Sequence, residues 1–122
     1  MLSDAEPPEW AQGGWSVAKG TPWPVPWAIG TYNDTLAYLF GNQLVAGADS
    51  KVLWKVKDLG ANLLVEGHPL GKSQPVVTIM GGPSITHVPT PGCWTFRLSW
   101  GSNRLHSSII NLEALPAGTL PA

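Results

Sequence analysis

The sequence predicts an all-β domain, a single antiparallel β-sandwich of about seven short strands, and three observations carry that expectation. From Cys93 onward the side chains sort with period two: Trp94, Phe96, Leu98 and Trp100 on one face, Thr95, Arg97 and Ser99 on the other. Four large apolar side chains, each worth roughly 1.5–3 kcal/mol on burial, make that face core. Second, short β-prone runs recur at spacings near 8–12 residues with Gly/Pro turns between them. Third, fourteen Gly, twelve Pro and seven Trp stand beside only 12% charged residues, a balance that favours turns and aromatic packing over helical surfaces or disorder. A barrel is the second choice, since Gly/Pro-dense crossings suit strands that change sheets.

Residues 1–34 are the least regular part and hold Trp10, Trp15, Trp23 and Trp27 among several prolines. Such a segment is expected to drape over a body rather than form its own core, and it divides the chain into a Trp/Pro-rich segment at 1–34 and a sandwich at 35–122. Its stretch 11–32 carries one charge, Lys19, and four aromatic rings, unlike a disordered tail. Residues 23–27 (WPVPW) should run extended or as polyproline II, with Trp23 and Trp27 about 12 Å apart at roughly 3.1 Å per residue.

The strands follow in order. Residues 35–40 (TLAYLF) are apolar on both faces and read as a central strand, and 43–46 as at most a short edge strand between Gly-rich turns. Residues 51–57 (KVLWKVK) alternate, with Val52, Trp54 and Val56 inward and Lys51, Lys55 and Lys57 outward on a wet face. Residues 62–66 make the next strand, 67–73 a loop, and 75–80 another strand. After 84–88, Pro89-Thr90-Pro91-Gly92 turns the chain, because each proline lacks an N–H and Gly92 permits positive φ. Residues 93–100 form the alternating strand, 101–103 a hairpin turn, and 105–112 the returning strand.

At 122 residues the chain is one domain with room for a real core. Seven basic against eight acidic residues, a formal net charge of −1, leave no nucleic-acid footprint. No uninterrupted run of 18 apolar residues suggests a transmembrane helix. The first eight residues, MLSDAEPP, carry acid where a secretion signal carries base, so the expectation is either a cytoplasmic protein or one whose leader has been removed. Cys93 is the single cysteine, which leaves no intramolecular disulfide and no thiolate zinc site.

Residues 51–54 (KVLW) and 83–94 (PSITHVPTPGCW), with the Phe40-Gly41 element before them, make the stretch 39–100 resemble a group of uncharacterised bacterial proteins that are usually secreted or lipid-anchored. The resemblance implies an immunoglobulin-like extracytoplasmic domain and brings no catalytic residues.

The chemistry-bearing side chains give little. His68, His87 and His106 lie in separate segments without metal-ligand spacing, and Met80 and His87 precede Cys93 where a blue-copper loop would place them after it. Cys93, between Gly92 and Trp94 at a strand start, is expected to be a buried small hydrophobe rather than a nucleophile. Asp34, Asp49, Asp58, Glu66 and Glu113 mostly sit beside turns, where local backbone capping accounts for them. No catalytic residue, metal or cofactor is therefore assigned. Trp54, Trp94 and Trp100 are assigned to the core. Trp23, Trp27, Trp10 and Trp15 are the candidate ligand-binding residues, with the covering of sheet edges as their alternative role. The resulting expectation is a non-enzymatic accessory or binding domain whose partner is a protein or glycan surface. A carbohydrate-binding module using exposed Trp, and a small Cys/His hydrolase, are the alternatives.

Overall fold

The computed structural model describes residues 2–13, 15, 17–18, 20–41, 43–58 and 62–118. Among the described residues nine strands form two sheets. Sheet A runs β1 (Trp27–Ile29), β2 (Thr35–Leu39), β4 (Ser50–Val56), β7 (Gly82–Thr86); sheet B runs β3 (Leu44–Val45), β9 (His106–Leu115), β8 (Gly92–Trp100), β5 (Leu64–Pro69), β6 (Val77–Met80). The order is immunoglobulin-like. The chain changes sheets between β2 and β3, since β2 pairs antiparallel with β4 while β3, shortly after it, pairs parallel with β9. Among the described residues that β3–β9 contact is the one departure from the expected antiparallel arrangement. Two elements raise the strand number from about seven to nine: the two-residue β3, and β1, which pairs Trp27 with Tyr38 and Ile29 with Leu36.

The inner faces meet as the alternation requires. Ala37, Val52 and Trp54 from sheet A pack against Val65, Trp94, Phe96, Leu98 and Trp100 from sheet B, and the Trp54 and Phe96 rings sit 5.0 Å apart across the sandwich. Trp54, Trp94 and Trp100 are thus core residues, as assigned. Buried polar groups between the sheets include three that find partners: Trp54 Nε1 donates to Thr86 Oγ1, Trp94 Nε1 to the Thr90 carbonyl, and Thr35 Oγ1 to Ser108 Oγ.

β5 is longer than expected because Gly67 is a strand residue and not the start of a loop. It lies opposite Phe96, whose ring crosses it so closely that a Cβ there would come within 2.6 Å of a ring carbon. The glycine that looks like a turn signal is a close-approach residue. The β8–β9 connection is likewise more than a simple hairpin: Ser102–Arg104 makes a short 3-10 turn in which Asn103 and Arg104 both have positive φ.

The segment before β1 covers the outer face of sheet A. Residues alternate along β2, so Ala37 and Leu39 point into the sandwich while Leu36 and Tyr38 point out, yet all five β2 residues are buried. Over Leu36 and Tyr38 lie Ala11 and Trp23, with Trp10, Trp15, Val17, Val25, Trp27 and Leu53 around them: a second small core. The cover is pinned by hydrogen bonds. Ser3 and Trp27 exchange backbone bonds of 2.8 and 3.0 Å, Trp23 N–H donates to the Asp4 carbonyl, and Tyr38 Oη donates to the Ala11 carbonyl at 2.7 Å. Burial pushes the Tyr38 phenol up to about 12.

This cover changes one expectation. The face of β4 expected to be wet is wet only at its ends: Lys51 and Lys57 are exposed, but Leu53 packs under the segment and Lys55 Nζ donates to the Ala11 and Gly13 carbonyls at 3.3 and 3.4 Å. Within the stretch 1–34, Trp27–Ile29 pairs onto β2 and extends sheet A. Among the described residues no helix is long and apolar enough to cross a membrane.

Candidate binding cleft beside Trp15 and Trp23

Of the four tryptophans named from the sequence, the structure brings Trp15 and Trp23 together. Their rings are 5.4 Å apart, and both reach Tyr38, Trp15 at 5.2 Å and Trp23 at 6.4 Å; Trp15 also stacks on Phe40 at 6.1 Å and 13°. Ring pairs at these separations carry roughly 0.5–1.5 kcal/mol beyond their area, which fixes the orientation of Trp15 although its ring is only half-buried. Trp10 is half-buried at the margin of the same cluster. Trp27, the first residue of β1, packs against the same cluster but does not line the cleft, and its Nε1 donates to the Ala5 carbonyl at 2.8 Å.

Trp15 and Trp23 instead wall an open cleft of about 380 Å³, together with Glu6, Gln12, Val17 and Thr21. The polar rim is held in place. Gln12 follows a 3-10 turn, Glu9–Ala11, and its Nε2 donates to Glu6 Oε1 at 3.2 Å and to the Pro7 carbonyl at 2.7 Å. A carboxylate and a carboxamide are thus fixed next to two indoles. Trp23, 7% exposed, contributes a further polar feature: its Nε1 is buried with no hydrogen-bond partner among the described residues, a situation costing roughly 1–3 kcal/mol. Glu6 and Gln12 carry no motif, and only the turn between them, made by Pro7, Pro8 and the 3-10 residues, brings them to the indoles.

The other chemistry-bearing residues stay apart. His68 Nδ1 lies 3.0 Å from the Pro69 carbonyl, His106 stacks on Trp100, and His87 pairs with Asp49 at 3.0 Å on the surface. Among the described residues no three of His, Cys, Asp and Glu gather as metal ligands would. Cys93 is exposed, which corrects the expectation of a buried thiol. The reason lies in the alternation itself: with Trp94 facing inward, its neighbour must face out. Its cross-strand partner is Glu113, so a carboxylate rather than a histidine stands opposite the thiol. No protein-family model, curated protein or solved structure matches this chain.

Proposed function

We propose that the chain is a non-enzymatic binding domain that works outside the cytoplasm, and that the cleft beside Trp15 takes a saccharide. The observation that carries the reading is the placing of Trp15 and Trp23 in one cleft with Glu6 and Gln12, whose side chains are joined by a hydrogen bond. A sugar ring has an apolar C–H face and a rim of hydroxyls, and those two features need an aromatic platform and planar hydrogen-bonding groups side by side. A concave cleft of about 380 Å³ suits one or two such rings better than a flat protein surface. The extracytoplasmic setting rests on the resemblance of residues 39–100 to secreted and lipid-anchored proteins.

A glycan array followed by titration of the best ligand tests the reading. Trp15→Ala should weaken binding by about tenfold or more and Glu6→Gln by a smaller factor, while Trp27→Phe, which keeps a ring and lies outside the cleft wall, should change it little. An array with no saccharide bound, or binding indifferent to Trp15→Ala in a variant that still melts cooperatively, would refute it.

A further inference from the structure

A second cavity, lined by none of the residues of the Trp15 cleft, lies beside β9 near the point where the chain passes from sheet A to sheet B. β2 leaves sheet A at Leu39, and β3 joins sheet B at Leu44, where it pairs with β9 only at Ala114 and Leu115, so a pocket opens along β9 at the margin of sheet B. Leu2, Leu39, Leu112 and Leu115 line the resulting pocket of about 610 Å³, a volume within the roughly 300–1,000 Å³ range of small-molecule sites. The four leucines come from four parts of the fold: the N-terminal segment, the end of β2, the middle of β9 and its end. Cys93 and Glu113, cross-strand partners on β8 and β9, stand in the wall, and both are exposed. Glu113 is the one charged side chain of the lining and has no ion-pair partner among the described residues. Asn111, beside it, already accepts a hydrogen bond from Thr95 Oγ1 through its Oδ1.

An apolar pocket with a single unpaired carboxylate in its wall is complementary to an apolar body that ends in a cation. We infer that this pocket beside β9 binds a small amphiphilic amine, its hydrocarbon part among the leucines and its ammonium at Glu113. A neutral or anionic amphiphile could fill the same apolar volume but would gain nothing from the carboxylate, and an anion would be repelled by it. The site is separate from the Trp15 cleft and stands or falls independently of the saccharide reading.

Cys93, the only cysteine of the chain, reports occupancy directly. The full-length protein is alkylated with the uncharged reagent N-ethylmaleimide in the presence of octylamine, octanol or octanoate, each titrated below its micelle concentration. Octylamine should slow the alkylation of Cys93 saturably and bind about fivefold tighter than octanol, the ratio that about 1 kcal/mol of ion pairing near a surface gives. Octanoate should bind weakest. In Glu113→Gln, an exposed substitution that leaves the core untouched, octylamine and octanol should become equal. Failure of octylamine to protect the thiol overturns the site. Equal protection by the three probes, or an amine preference that survives Glu113→Gln, overturns the assignment of an ammonium ligand.

Discussion

Tyr38→Phe removes one oxygen and tests the docking of the N-terminal segment at its most specific contact. The ring would keep its place among Trp15, Trp23 and Leu36, so the packing term is nearly unchanged and the loss is that of the Tyr38 Oη–Ala11 carbonyl bond. Such a bond contributes about 1 kcal/mol, and the Ala11 carbonyl keeps a second donor in Lys55 Nζ, which prevents the larger penalty of an orphaned buried acceptor. At neutral pH the variant should therefore melt about 3–5 °C lower, the shift that about 1 kcal/mol gives in a domain of this size. Alkali should narrow the difference. The folded-state phenol is raised from 10.0 to about 12, so below the unfolded value both states are protonated and the native advantage is intact; as pH climbs from 10 toward 12 the unfolded phenol ionises while the folded one does not, and the wild type loses stability that the phenylalanine variant has no means to lose. Urea unfolding followed by Trp fluorescence at a series of pH values should show the two stabilities converging above pH 10. A Tyr38→Phe protein as stable as the wild type at neutral pH, with a parallel alkaline profile, would show that the phenol does not hold the segment.

Other perturbations follow from single contacts. Trp94→Ala should cost roughly 3–5 kcal/mol, measured by chemical denaturation, because the side chain is wholly buried between the sheets. Gly67→Ala should lower stability by roughly 1–3 kcal/mol, since the Phe96 ring must move from the added methyl, and a double variant with Phe96→Leu should recover part of the loss. Cys93 should react with a thiol reagent in the native protein at a rate close to that of an unfolded sample.

The fold was legible where one face of a strand is continuous and apolar. Trp94, Phe96, Leu98 and Trp100 announce β8 and its inward face, and the same alternation, carried one residue back, turns Cys93 outward. Legibility failed where a residue's reason is tertiary. Gly67 looks like punctuation until the Phe96 ring is laid across it, and the lysine-bearing face of β4 looks wet until Ala11 and Trp23 are laid over its neighbour. That residues 11–32 must cover something was readable from their rings and lack of charge. Which surface they cover was not, because Leu36 and Tyr38 declare only that β2 is apolar on both sides. The cleft was half legible: Trp15 and Trp23 stand out by type, whereas Glu6 and Gln12 reach them only through a proline-shaped turn.

Melting a variant that lacks residues 1–25 but keeps β1 tests most directly the claim that the sandwich is completed by its own N-terminal cover. Deletion strips Ala11, Trp15 and Trp23 from Leu36, Tyr38 and Leu53 and removes the backbone bonds that Ser3 makes to Trp27. The apolar face so exposed should drive aggregation in light scattering, or lower the midpoint by more than about 10 °C with a broadened transition. A truncated protein that stays monomeric and melts cooperatively within about 2 °C of the full chain would contradict the account.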